Sequence, residues 1–489
     1  MDKSIVIGLD IGTTSVKAVA FNVSGIVLAE HEVAYPLLTP FPSWAEQDPL
    51  EIEKAAINVI RWLTECSNIQ SDRIYAIGLS SAMHSLICMN SKGEPLSPSI
   101  TWADGRAAAE AAKLKEREPS IYEATGTPIH PMSPLVKLMW MKENKYEPYL
   151  QADSFVSIKE FLLYRWFGVK YVDYSIASAT GLFDVHTLTW SEKALQIAGI
   201  TEEKLFQPVP PTTVLEGLDQ EIANQMGITM NLPFVIGASD GPLANLGIGA
   251  IDPGEVAITI GTSGAIRQLI STPKIDEQQQ TFCYRFTDQL SLVGGPTNNG
   301  GIVLQWLKDT FGSNEDFDSF IALAAKVQPG AEELLFLPYL NGERAPMWNS
   351  KVRGNIFGLS LRHKKEHIVR AGLEGVIYSI YHVGQTLERL AGPPKKILAS
   401  GGFARSPLWL QILADMFNQE VQVPVSHQSS SWGAAWLALY GIGVTQDLSM
   451  IKEHIPMKGQ YMPIKENHEI YMEMFALYKE LSETINRIR

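Results

Sequence analysis

The strongest constraint on this chain is a turn pattern that occurs twice, once in each half. Near the start, the apolar run Ile5-Val6-Ile7-Gly8-Leu9 leads into Asp10-Ile11-Gly12-Thr13-Thr14-Ser15-Val16-Lys17. About midway, Val256-Ala257-Ile258-Thr259-Ile260 leads into Gly261-Thr262-Ser263-Gly264-Ala265-Ile266. Each reads as strand, Gly-Thr turn, strand. Glycine permits positive φ and lets a ligand come close to the main chain, so such a turn gathers N–H groups and hydroxyls around an anion. Two of them facing each other would grip a polyphosphate from both sides, which calls for two similar lobes.

Size agrees with duplication. A chain of 489 residues exceeds what one core supports, and the repeat divides it into 1–250 and 251–489, with the boundary in Ile251-Asp252-Pro253-Gly254. Hydrophobic residues at 45% and charged residues at 19% suit an ordered globular protein. The net charge of -13 argues against a nucleic-acid partner, which needs clustered Lys and Arg, but not against a small anion held by a local field. Cys66, Cys88 and Cys283 match no metal-ligand spacing and read as reduced thiols. Asp10 interrupts the first apolar run and Gly12 ends it, so no export signal is read and a cytoplasmic protein is expected. Val421 to Gln446 lacks Asp, Glu, Lys and Arg, but its apolar part, Trp432 to Val444, is shorter than the about 20 residues of a span. It reads as a loop and a buried helix, with no membrane contact.

Local patterns fill in the lobes. In the first half, strands over residues 4 to 11, Lys17 to Phe21 and Ile26 to Glu32 form an antiparallel meander, the last two joined by Asn22-Val23-Ser24-Gly25. A helix follows, with Pro49 near its start and Ile52, Ala55, Ala56, Val59, Ile60 and Leu63 at helical spacing. Ile74 to Ser80 returns as a strand, giving the order of a ribonuclease-H-like α/β unit. The second half echoes it with strands Ala265 to Ile270 and Ser291 to Gly294, helices Gly301 to Phe311 and Lys365 to Leu390, strand Lys396 to Ala399, and a helix from Leu408 to Asn418. Residues from about 100 to 230 exceed the basic unit and read as an insertion, the usual place for substrate-specific parts.

Chemistry gathers at the strand ends. Asp10 precedes the first phosphate turn, where a carboxylate is useful if a cation intervenes; Mg2+ commonly joins one or two carboxylates to substrate phosphates. Asp240 ends the run Phe234-Val235-Ile236-Gly237-Ala238-Ser239 before Gly241-Pro242, at the edge of the first lobe. A carboxylate there can accept the proton of a hydroxyl attacking a γ-phosphate. The plainer reading of both aspartates is a turn cap. Ser400-Gly401-Gly402-Phe403-Ala404-Arg405-Ser406-Pro407 adds a glycine turn that opens a helix.

These residues carry a resemblance. The chain resembles the FGGY carbohydrate kinases, the glycerol, xylulose and gluconate kinases of the actin-like ATPase group. The Asp10 turn is similar to the family's first phosphate motif, Gly261-Thr262-Ser263-Gly264 to its second, and Ser400 to Ser406 to its adenosine motif. Met132-Ser133-Pro134-Leu135-Val136-Lys137 through Asn144, and Gly354 through His367 to Glu374, resemble two further family patterns, with Gly372 at a place where a different small or β-branched residue is usual. The resemblance implies two ribonuclease-H-like domains around a cleft, the first binding sugar and the second nucleotide. It implies ATP and Mg2+, with Asp240 as catalytic base and Asp10 organising the metal. Thr13, Thr14, Gly261, Thr262, Gly301, Gly401, Gly402 and Ser406 would face the nucleotide, although the family often has Asn where Ser406 stands. The block Gly342-Glu343-Arg344-Ala345-Pro346 also belongs to the family, its role open.

By the same resemblance Met83, His84, Trp102, Asp104, Arg106, His130 and Met132 would line the sugar side of the cleft. The wording around Ser80 to Ser85 and Thr127 to Pro134 is most similar to the gluconate kinases of the family. That implies attack by the C6 hydroxyl of D-gluconate on ATP, giving 6-phosphogluconate and ADP, with Arg106, His84 or His130 as donors to the sugar-acid carboxylate. Xylulose kinase is the alternative, glycerol kinase a weaker one. The plainer readings are a partly buried aromatic, a surface ion pair of Asp104 with Arg106, and histidines satisfied in loops. From another class, two phosphate turns alone would also suit a non-transferring actin-like ATPase. A homodimer is the default expectation for a symmetric soluble enzyme.

Overall fold

A computed structural model describes residues 3–67, 69–312, 316–425 and 428–488. The first lobe is built on strands β1 (Ile5–Ile11), β2 (Ser15–Asn22), β3 (Val27–Ala34), β4 (Ile74–Ser81) and β5 (Phe234–Ser239), with helices α1 (Pro49–Cys66) and α2 (Asp240–Gly247). The second uses β6 (Glu255–Ile260), β7 (Gly264–Ile270), β8 (Ser291–Thr297), helices α3 (Gly301–Phe311) and α4 (Lys365–Ala391), β9 (Lys396–Ser400), α5 (Pro407–Phe417), β10 (Val421–Pro424) and α6 (Ser429–Gly441).

The repeat in sequence is a repeat in topology. In space the first sheet runs β5-β4-β1-β2-β3 and the second β10-β9-β6-β7-β8. Directions agree as well: β1 pairs antiparallel with β2 and parallel with β4, while β6 pairs antiparallel with β7 and parallel with β9. The central strands are apolar on both faces because helices cover both sides; β1 buries Ile5, Val6, Ile7, Leu9 and Ile11. Helix α1 starts where expected, with Pro49 in its first turn and the Asp48 carboxylate accepting from the Leu50 amide at 2.9 Å. Its apolar face, Ile52 to Leu63, lies over the meander.

Three strands carry no alternation strong enough to read from sequence. Phe282–Arg285 extends the second sheet beyond β8, Met457–Tyr461 extends it beyond β10, and Val214–Leu215 lies at the edge of the first. The stretch after Val421 opens on a strand, β10, rather than on a loop, because it is paired on both sides. The buried helix expected there is α6, preceded by Ser426 and His427, which lie outside the described residues.

Although α6 belongs to the second half of the chain, it packs on the first sheet and on α2. Backbones meet directly. A Cβ on Gly8 of β1 would lie 1.9 Å from the Ser431 carbonyl oxygen, one on Gly78 of β4 2.0 Å from that of Ala434, and one on Gly433 2.0 Å from that of Leu243. Between β4 and β5 the chain builds an additional block that includes helices Pro134–Glu143, Ile158–Phe167 and Tyr174–Ala179. Its apolar residues join the first core.

Candidate active site

Each Gly-Thr turn is closed by its glycine amide, the first across three residues and the second across two. The Gly12 amide donates to the Ser15 carbonyl at 2.9 Å and the Gly261 amide to the Ser263 carbonyl at 2.8 Å. The second turn is braced by the start of α3, where the Gly301 amide donates to Gly261 O at 2.7 Å and Ile302 to Thr262 O at 3.2 Å. Only glycine fits the third turn at Gly401, which has φ +96° and would place a Cβ 2.5 Å from the Ile260 oxygen. In the first turn, Trp102 Nε1 donates to Thr13 Oγ1 at 2.8 Å, Tyr35 OH to Gly12 O at 2.5 Å, and Gln47 to Thr13 O. Thr14 is exposed.

A cavity of about 370 Å³ opens between the lobes, walled from one side by Thr13, Met83, His84, Trp102, Met132 and Asp240, and from the other by Arg267, Tyr284 and Arg344. A second cavity of about 760 Å³ lies in the second lobe, with Gly301, Ile302, Phe317, Gly402, Ser406 and Trp409 in its wall. Gly261 and Thr262 line both. The second is mostly apolar and suits a planar base. Gly402 has open space where its Cβ would stand, and Ser406 caps α5 by accepting from the Trp409 amide at 3.3 Å.

Asp240 is the first residue of α2, so its carboxylate sits at the positive end of the helix. Burial raises its pKa above the ordinary 3.8, while the Arg267 guanidinium and the Gly241 amide favour the ionised form. Arg267 is itself held in place, donating to Asn245 Oδ1 at 3.1 Å and to Thr259 Oγ1 at 3.0 Å. Asp10 accepts from Ser80 Oγ at 2.6 Å, and burial pushes its pKa up to about 6.

His84 follows β4 in a left-handed conformation, φ +68°. Its Nδ1 donates to the Ala179 carbonyl at 2.7 Å, since a carbonyl can only accept. Burial pushes its pKa down to about 3, so the ring is neutral and Nε2 keeps an acceptor lone pair. The loop is clamped by Lys137, fully buried, whose ammonium donates to the carbonyls of His84, Thr101 and Ile100 at 2.6, 2.8 and 3.1 Å. One side chain thereby fixes both the His84 and the Trp102 segments.

Three of the expected sugar-side residues are not in this wall. Asp104 and Arg106 form a buried pair rather than a surface one: Arg106 bonds Asp104 at 2.8 and 2.7 Å and Glu46 at 2.5 Å, and its guanidinium lies 3.6 Å from the Trp44 ring centre. Two carboxylates therefore pair with one guanidinium inside the protein, and the Ala45 amide donates to Asp104 as well, at 2.7 Å. His130 accepts from the Met132 amide at 3.2 Å and meets the Trp348 ring edge-on, and burial keeps it neutral. Arg267, Tyr284 and Lys137 were not singled out by motif. Lys137, in the middle of the apolar run Pro134-Leu135-Val136-Lys137-Leu138-Met139, carried a readable signal.

The open block at 342–346 also finds a place. Glu343 is buried and accepts from Thr297 Oγ1 at 2.7 Å, from the amides of Asn298 and Arg344 at 2.8 Å each, and from Asn299 at 3.1 Å. It holds the loop that points Arg344 into the cavity, where the guanidinium lies 5.1 Å from the Trp102 ring. Arg344 Nε has no hydrogen-bond partner although buried, and burial lowers the group's pKa to about 10.

Known proteins agree with this architecture. Residues 5–247 match the N-terminal domain, and residues 256–442 the C-terminal domain, of the FGGY family of carbohydrate kinases. The gluconokinase of Bacillus subtilis (strain 168) is 46% identical, with 99% of this chain and 96% of that protein covered. The xylulose kinase of Escherichia coli (strain K12) is 29% identical, covering 99% and 98%. A crystal structure of gluconate kinase from Lactobacillus acidophilus superposes with a TM-score of 0.96 at 38% identity, over 99% of this chain and 98% of that one. A ligand-bound xylulose kinase from the same organism also gives 0.96, at 37% identity and 98% coverage of both chains. A non-transferring actin-like ATPase is thereby set aside, and the chain belongs to the FGGY family of carbohydrate kinases.

Proposed function

We propose that this protein transfers the γ-phosphoryl group of ATP to the C6 hydroxyl of D-gluconate, giving 6-phospho-D-gluconate and ADP. The observation that carries it is the junction of two cavities at Gly261 and Thr262, one of sugar size with Asp240 in its wall and one with an apolar slot for a base. The choice of gluconate is supported by the 46% identity to the Bacillus subtilis gluconokinase, against 37% and 29% to the xylulose kinases of Lactobacillus acidophilus and Escherichia coli.

On this reading ATP fills the larger cavity, its base against Gly402, Ser406 and Trp409 and its phosphates toward Gly261, Thr262, Gly301, Thr13 and Thr14. Gly401 shapes the adenosine turn from behind. The sugar lies against Met83, His84, Trp102 and Met132, with His84 Nε2 accepting from a hydroxyl. Asp240 takes the proton of the attacking hydroxyl; the sugar oxygen bonds to the γ-phosphorus as the bond to the β–γ bridging oxygen breaks and ADP leaves. Lobe closure would exclude water and suppress hydrolysis.

The first turn fits Mg2+. Asp10 offers a half-buried carboxylate whose raised pKa a cation would bring down again. Among the described residues no cluster of three or more acidic, His or Cys side chains forms a metal site, which suits an ion that takes most ligands from phosphate and water. When bound, it would neutralise charge on the transferring group.

No described helix is long and apolar enough to cross a membrane, and all three cysteines are unpaired; a cytoplasmic enzyme is the reading these support. An ADP-release assay over gluconate, xylulose, ribulose and glycerol tests the substrate. Gluconate should give the highest kcat/KM. Activity on xylulose with gluconate inert would replace gluconate by xylulose, the reading favoured by the xylulose kinase of equal structural likeness.

A further inference from the structure

The end of β5, which delivers Asp240, rejoins its sheet at Ala238 and Ser239, opposite Ser80 and Ser81, but is held from outside the sheet as well. Its register against β4 slips between Val235 and Ala238, at Gly237, where φ is +64° and a Cβ would lie 1.7 Å from the Leu79 carbonyl oxygen. Beyond this bulge the Ser239 amide finds its acceptor outside the sheet, donating at 2.7 Å to the hydroxyl of Ser175.

That hydroxyl is oriented in turn. Ser175 Oγ donates to Asp173 Oδ1 at 2.5 Å, so its hydrogen is committed and towards Ser239 it can only accept. The same Asp173 oxygen caps the helix Tyr174–Ala179, accepting from the amides of Ser175 at 3.0 Å and Ile176 at 3.2 Å. Its other oxygen pairs with Lys159 Nζ at 2.6 Å, and Lys159 also donates to Ile236 O, on the near side of the bulge, at 3.1 Å. Lys159, Asp173, Ser175 and Ser239 are all buried to 1% exposure or less. The pair therefore grips β5 on both sides of its irregularity, one residue short of Asp240.

We propose that Lys159, Asp173 and Ser175 are positioning residues for Asp240: they fix the backbone from which its carboxylate reaches the acceptor hydroxyl. The proposal rests on the reading of Asp240 as the base. The charge on Lys159 also favours ionised Asp240, acting with Arg267 and against Asp10. A block remote from the nucleotide thereby sets the geometry of the reacting centre, where a misplacement of roughly 1 Å can cost about 100-fold in rate.

The test compares Ser175→Ala, Asp173→Asn and Asp240→Asn, each normalised to folded enzyme by ADP-binding stoichiometry. Ser175→Ala and Asp173→Asn should lower kcat about 10- to 100-fold while KM for ATP and sugar stays within about threefold, the signature of an interaction needed in the transition state. A merely structural role would lower Tm and leave kcat per folded molecule unchanged, and that result overturns the proposal. Asp240→Asn separates the two readings: if it stays active, the base assignment fails; if it is dead while Ser175→Ala turns over normally, only the positioning proposal fails. Should the Ser175 and Asp173 variants not fold, amide exchange in the unaltered protein decides. Protection of Ser239 is expected, and exchange as fast as in surface loops contradicts it.

Discussion

The indole of Trp102 donates to the Thr13 hydroxyl at 2.8 Å while the Arg344 guanidinium lies 5.1 Å from the ring centre, so one side chain links the first phosphate turn to the opposite lobe. Trp102→Phe keeps an aromatic ring and removes the donor. A lost hydrogen bond of about 1 to 1.5 kcal/mol predicts a kcat/KM about tenfold lower, with little change in Tm. Lys137→Met acts differently, because three buried carbonyls lose their donor. It should destabilise by about 3 kcal/mol or more in denaturant unfolding and raise the sugar KM. Two pH effects follow from burial. With Asp240 as the proposed base its ionised form is the active one, and its pKa is raised, so kcat should fall with falling pH through an acid limb that lies above 3.8. His84 is neutral throughout, so the sugar KM should show no step near pH 6.5. The glycine turns and strand ends that line the two cavities were legible from sequence. Asp104 and Arg106 were misplaced because a Trp-x-Asp-x-Arg spacing does not reveal that Glu46, about 60 positions earlier, completes a buried pair.

Helix α6 binds the first lobe through backbone contact as well as through its apolar side chains, with Gly8, Gly78 and Gly433 at the closest approaches. Gly78→Ala would set a methyl carbon 2.0 Å from the Ala434 oxygen. Neither neighbour is a flexible side chain, so the elements must separate, at a cost of about 3 kcal/mol or more. Calorimetry should show a Tm lowered by several degrees, and an unchanged Tm would mean that the helix sits farther from the sheet. Elements with strong periodicity, such as α1, α3 and α4, were readable to within a residue or two. Phe282–Arg285 was not, because an edge strand of four residues buried throughout has no alternation to read, and with it Tyr284 of the cavity wall was missed.

At the scale of the whole molecule, the duplication explains why the cleft exists: two sheets of the same order each present a Gly-Thr turn, and the block between β4 and β5 walls one side. The duplicated order was legible because each copy repeats the strand-turn-strand signal. The crossing of α6 onto the first lobe was not, since nothing local in an all-round apolar helix names the sheet that it covers. Two lobes meeting around a phosphate predict closure, and small-angle scattering should report a smaller radius of gyration with sugar and a non-hydrolysable ATP analogue together than with either alone. The central claim, directed transfer from ATP to a sugar acid, is tested most directly by phosphorus NMR of the products formed from ATP and D-gluconate. A phosphate ester on the C6 oxygen should form in step with ADP, and none with Asp240→Asn. Inorganic phosphate released at the same rate with and without sugar would contradict it.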